Sequence, residues 1–152
     1  MLWLNDRGKL KGTRMDNDSH LIQKENRFSR LVFLIAGSVG LIQMVPLYFY
    51  ENTLNQTQPP AITHPEFYYG FIGIVIAWQI AFLIISRDPV RYRPLMPAIF
   101  LEKLLFPIGT FVLYVEGRVH SFAMVGSATL DLVWLGLFIT IWVKLRTHNI
   151  SH

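Results

Sequence analysis

The chain alternates long apolar runs with short polar ones. Residues 31–50 read LVFLIAGSVGLIQMVPLYFY and residues 67–86 read FYYGFIGIVIAWQIAFLIIS, while 95–115 and 122–143 are similarly apolar. Each window holds about 20 residues, enough helix to cross a hydrocarbon core of ~30 Å at ~1.5 Å of rise per residue. The connections ENTLNQTQPPAITHPE, RDPVRYRP and EGRVHS are polar and short. This pattern predicts an all-α, polytopic membrane protein, folded as an antiparallel four-helix bundle over residues 31–143. A polar segment, 1–30, precedes the spans as a tail, either loosely ordered or partly an interfacial helix around 21–28. Residues 144–152 form a second tail.

Composition supports a membrane domain. Of 152 residues, 52% are hydrophobic and 16% charged, against about 25% charged in soluble domains. The absence of cysteine excludes disulfides, thiolate metal sites and thiol chemistry. A net charge of +4 would suggest nucleic acid in a soluble domain, but its distribution argues for membrane topology and against a nucleic-acid partner. Seven Lys/Arg lie in 1–30, three in RDPVRYRP and two in the C-terminal tail, while the other two loops hold none and one, Arg118. The positive-inside rule then sets both termini and the middle loop on the cytoplasmic side of a plasma membrane, the inner membrane in a bacterial host. Tyr48, Phe49, Tyr50, Phe67, Tyr68, Tyr69 and Tyr114 would form the outer aromatic belt, and Trp142 would mark the inner interface.

A few polar residues inside the apolar runs need a physical reason. Counted from the cytoplasmic ends, Gln43 and Asp131 lie ~18 Å deep, and Gln79, Glu102 and Lys103 ~10–12 Å deep. Each of the four spans would thus contribute to one polar slab. An unpartnered charge facing lipid costs ~3 kcal/mol or more, so Glu102 and Lys103 should face the bundle interior or water. Helix neighbours point ~100° apart, which disfavours pairing Glu102 with Lys103. Lys103 is instead expected to reach Asp131, ~6 Å farther along the helix axis, leaving Glu102 to contact Gln79 or a loop arginine. Two uses of the slab stay open: interhelical packing, or a proton, ion or ligand site.

The loop RDPVRYRP holds Arg87, Arg91 and Arg93 at headgroup level. Asp88 and Pro89 make an N-cap and N1 pair able to start a helical turn, whereas Arg93, before Pro94, should be pushed out of helical geometry. These arginines either fix topology and attract anionic headgroups or clamp a phosphate above the slab. Pro97 and Pro107 flank AIFLEKLLF, and Pro107 should free the carbonyl of Lys103. Pro46 is expected to kink the first span. Gly70, Gly73, Ala77 and Ala81 form a small-residue stripe suited to close helix packing.

No phosphate loop, nucleophile elbow or HExxH pattern occurs, and His64 and His120, in separate loops, do not make a metal site. No cofactor is expected. The leading expectation is a non-enzymatic membrane bundle, a subunit or small hydrophobic-ligand binder, whose partners are the bilayer with its anionic headgroups and a second copy or a membrane-complex subunit. One alternative is a small oligomeric transporter or proton-coupled carrier using Glu102, Lys103 and Asp131. Another is a membrane enzyme acting on a lipid-soluble substrate with Glu102 or Asp131 as acid or base.

The stretch RDPVRYRPLMPAIFLEK, residues 87–103, resembles small bacterial four-helix membrane proteins that share a DPxRYRP loop followed by an EK pair. The resemblance covers spans two to four. It implies an integral membrane fold and carries no activity with it.

Overall fold

The computed structural model describes residues 3–58 and 60–147, with side chains described from 23 to 145 except 59. Residues 1–2 and 148–152 of the two expected tails lie outside the described residues. The first helix, α1, spans Trp3–Met44. It runs from the polar N-terminal segment, expected as a tail either loosely ordered or partly helical around 21–28, into the first apolar window without a break. The physical reason is the lack of a breaker: no proline occurs before Pro46. Pro46 then ends α1 instead of kinking it, because a 3-10 turn at Val45–Phe49 takes over with Pro46 in its first positions. The residue before a proline is disfavoured in α geometry, and proline itself has no N–H to continue the ladder.

A short helix, α2 (Glu51–Thr57), leads toward α3 (Pro65–Ile85), which has a proline at its start, where the absent N–H costs nothing. After α3, the Asp88 carboxylate accepts the Arg91 backbone N–H at 3.1 Å, starting the turn its sequence predicts. Arg93 does not leave helical geometry as expected. It opens a 3-10 turn, Arg93–Leu95, that feeds α4 (Met96–Val115). Pro97 occupies the first turn of α4, and Pro107 lies inside it, so the Lys103 carbonyl loses its helical donor. Gly117, at φ 68°, closes α4; Gly117 N–H reaches Tyr114 O at 3.0 Å and Arg118 N–H reaches Leu113 O at 2.9 Å. This paired closure needs a left-handed residue, which glycine adopts without a Cβ clash. The last helix, α5, spans Phe122–Thr147.

Among the described residues, four helical segments are long and apolar enough to cross a membrane: Gln23–Phe49, Pro65–Ile85, Arg93–Val115 and Phe122–Leu145. They share a core. Phe33 of α1 stacks on Phe138 of α5 with ring centroids 4.6 Å apart, and Phe82 of α3 packs 5.3 Å from Phe138. Met96 and Ile99 of α4 are buried in the same cluster. Elsewhere the surface is apolar: Ile42, Phe49, Phe67, Val115 and Phe122 are each more than 70% exposed. Side chains of this kind favour lipid over water, so the exterior fits a multi-pass membrane protein.

The two ends of the bundle differ. At a basic end, Arg30 Nε donates to Ser86 O at 3.1 Å and Arg93 Nη1 donates to Leu145 O at 3.3 Å, satisfying carbonyls at the ends of α3 and α5. At a tyrosine end, the Tyr68 hydroxyl donates to Leu47 O and the Tyr69 hydroxyl to Glu51 Oε2, both at 2.6 Å. Tyr48 stacks 5.7 Å from Tyr69.

The glycines in close contact with a neighbouring helix are not on the stripe the sequence suggests. A Cβ at Gly70 would meet nothing within 4 Å, and one at Gly73 would meet only the Tyr48 hydroxyl at 3.3 Å. The tight crossing lies on α1, where Gly37 and Gly40 face Gln79 and Leu83 of α3. Small residues mark where backbones are able to approach, but the partner's shape decides which of them are used.

Candidate functional site

Three of the polar residues of the spans, Glu102, Lys103 and Asp131, meet between α4 and α5. Lys103 sits one helical turn before Pro107, on the buried face of α4 with Met96, Ile99 and Thr110. Its Nζ donates to Asp131 Oδ1 at 2.9 Å, the contact expected from their depths. Lys103 Nζ also lies 3.3 Å from Glu102 Oε1. This corrects the expectation that neighbours on the helix do not pair. Their Cα–Cβ directions diverge, but the four-carbon stem of lysine bends back far enough to place its ammonium between both carboxylates.

The group is largely withdrawn from solvent: the side chains of Lys103, Glu102 and Asp131 are 7%, 12% and 21% exposed. The Phe82 ring of α3 covers the ammonium from the core side, its centroid 5.4 Å from Nζ, an attractive cation–π placement. Charge-assisted bonds of this length are strong where water is scarce. The arrangement is also unequal, with one basic group serving two acidic ones. Glu102 Oε2 is buried with no hydrogen-bond partner among the described residues. The contacts expected for Glu102, from Gln79 or a loop arginine, are not made.

The single four-helix slab is not present. Gln79 is 2% exposed, yet its side chain packs against Gly40 at the α1–α3 crossing and makes no hydrogen bond to Glu102, Lys103 or Asp131 among the described residues. Gln43 is exposed. Depth along the axis places all five residues near one level, but direction around each helix decides which of them meet, and each residue step turns that direction by ~100°. The indoles expected nearby serve the aromatic core: Trp134 stacks 6.3 Å from Phe138, and Trp78 lies 6.2 Å from Phe82.

The loop arginines also separate. Arg93 is half-buried through its bond to Leu145 O, Arg91 lies 5.9 Å over the Tyr92 ring, and Arg87 is exposed. Arg91 and Arg93 line a cleft of about 340 Å³ with Val90, Pro94, Pro97 and Trp142; Arg87 does not. Among the described residues, no group of three His, Asp or Glu side chains is placed to hold a metal ion.

Sequence reading missed two features. Gly37 and Gly40 are spaced three apart within AGSVG, a signal available in span one but overshadowed by the longer stripe in span two. Arg30 as the cap of α3 has no local signature, because its partner is 56 residues away.

No protein-family model, curated protein or solved structure matches the chain. None of these comparisons supports the resemblance expected from residues 87–103. The coarser reading, a small all-α protein with several apolar helices of membrane-spanning length, rests on the fold itself.

Proposed function

We propose that the protein is a non-enzymatic integral membrane bundle, a subunit or a binder of a small hydrophobic ligand, in which Lys103 locks α4 to α5. The helices run antiparallel, with both termini and the RDPVRYRP loop on the cytoplasmic side. The observation that carries the reading is the ammonium of Lys103 held between Asp131 and Glu102. A charge buried with its partner specifies one register between two helices, because sliding either helix by a turn leaves that charge alone in an apolar medium. The order of contacts supports the antiparallel arrangement: along the first two apolar segments and their ends, Arg30 meets Ser86, Phe33 meets Phe82 and Leu47 meets Tyr68. The charge asymmetry between loops supports the orientation.

A second reading, a proton-coupled carrier, is favoured by one feature, the buried and unpartnered Glu102 Oε2. Carboxylates inside membranes often serve proton transfer. Proteoliposomes containing the purified chain and an enclosed pH-sensitive dye separate the two readings. If the bundle is a packing device, an imposed pH gradient decays at the same rate with the native chain, with Glu102→Gln and with empty liposomes. Faster decay that Glu102→Gln abolishes would overturn the proposal in favour of the carrier.

A further inference from the structure

We propose that the cleft at the basic end binds the phosphodiester headgroup of an anionic phospholipid. The cleft of about 340 Å³ has two kinds of wall. Arg91 and Arg93 supply guanidinium forks, whose planar donors match phosphate oxygens two at a time. Val90, Pro94, Pro97 and Trp142 supply an apolar and aromatic wall suited to the glycerol and upper acyl region. Arg93 is half-buried, while Arg91 is exposed with its guanidinium 5.9 Å over the Tyr92 ring. Arg93 is tethered to Leu145 O at 3.3 Å, and the Arg91 backbone is fixed by the Asp88 carboxylate at 3.1 Å. The turn that carries both arginines is flanked by the buried Pro89 and by Pro94, so little backbone ordering remains to be done on binding.

Position identifies the source of the phosphate. The cleft opens where the apolar segment Arg93–Val115 begins and where Phe122–Leu145 ends, which is the level of lipid phosphates in a bilayer. Trp142, edge-on to Phe100 at 5.8 Å, is the amphipathic side chain favoured there. A free phosphate ion would gain the arginines and nothing from the indole and proline wall, whereas a phospholipid uses both. Arg87, exposed in the same loop but outside the cleft, is a built-in control. The inference does not depend on the role given to Lys103.

The test is native mass spectrometry of the full chain released from mixed micelles of phosphatidylglycerol and phosphatidylcholine. The native chain should retain phosphatidylglycerol in preference to phosphatidylcholine. Arg91→Gln should lower that retention about fivefold, the worth of one basic contact at a membrane surface, while Arg87→Gln leaves it within about twofold. Arg91→Lys should fall between them, since it keeps the charge and loses the fork; it also replaces Arg91→Gln should that variant not fold. Equal losses from Arg87→Gln and Arg91→Gln would overturn the cleft in favour of diffuse charge attraction. Equal retention of the two lipids would overturn it as well. Displacement of phosphatidylglycerol by millimolar inorganic phosphate would show a free-anion site and contradict the lipid assignment.

Discussion

Replacing Gly37 by alanine adds one methyl group where α1 crosses α3. The added Cβ would lie 2.8 Å from the Gln79 carbonyl oxygen and 2.9 Å from the Leu83 side chain, whereas ordinary contact begins at 3.4 Å. Leu83 is able to turn aside. The Gln79 carbonyl belongs to the α3 backbone, so α1 itself must retreat by about 0.6 Å. Phe33, one turn earlier, and Ala36, the preceding residue, are buried in the adjoining core and would loosen with it. Overpacking of this kind costs ~1–3 kcal/mol, and alanine returns up to ~1 kcal/mol through its better helix propensity. The net expectation is a loss of about 1–2 kcal/mol, or ~2–8 °C in melting temperature on the scale of soluble domains of this size. Gly70→Ala is the matched control, because nothing lies within 4 Å of the added Cβ; it should be neutral or slightly stabilising. Thermal unfolding in detergent, followed by tryptophan fluorescence, reads both. Equal melting temperatures for Gly37→Ala and Gly70→Ala would refute the close crossing.

Gly40→Ala should cost less than Gly37→Ala, because the atoms in its way belong to the Gln79 side chain, and adding Gln79→Ala should recover part of the loss in the same melt. Tyr68→Phe removes the donor to Leu47 O and should destabilise the tyrosine end by ~0.5–1.5 kcal/mol, again by melting. Arg30→Gln uncaps the end of α3, and deuterium exchange should then speed up in the peptide containing Ser86 with little change around Tyr68. Single cysteines placed in the N-terminal segment of this cysteine-free chain should resist an impermeant thiol reagent in intact cells and react after permeabilisation; labelling in intact cells would contradict the proposed orientation.

The helices are legible in the sequence because membrane-length apolar runs leave few alternatives: all backbone polar groups must be satisfied within the segment. Their ends are less so. Pro46 reads as a kink, and whether a proline kinks or ends a helix depends on the conformation of the residues after it; here they form a 3-10 turn held by Tyr68 on Leu47 O. The Lys103–Asp131 contact is legible because depth and side-chain reach fix it within one pair of spans. The place of Gln43 is not, since rotation about the helix axis depends on how large aromatic groups pack, and Phe33, Phe82 and Phe138 set that rotation. The contact of Glu102 with Lys103 is hidden for a related reason: Cα directions say little about where a long flexible side chain ends. The pair Gly37 and Gly40 needs the shape of Gln79 and Leu83 opposite it to be singled out.

The central claim is that Lys103 locks α4 to α5 through Asp131, and a double-mutant cycle in detergent measures it directly. Lys103→Met leaves two buried carboxylates without their cation, and losses of ~3–5 kcal/mol are typical when one partner of a buried pair is removed. Asp131→Leu leaves Lys103 with the longer contact to Glu102, 3.3 Å, and should cost less. The double variant removes the 2.9 Å pair whole and should be more stable than Lys103→Met alone, with Glu102→Gln added on top recovering more. An ordinary interhelical hydrogen bond in a membrane is worth only ~0.6 kcal/mol, so a coupling energy above ~1 kcal/mol marks a charge lock and not a routine polar contact. Unfolding free energies of the double variant that equal the sum of the two single losses, within ~0.5 kcal/mol, would contradict the account.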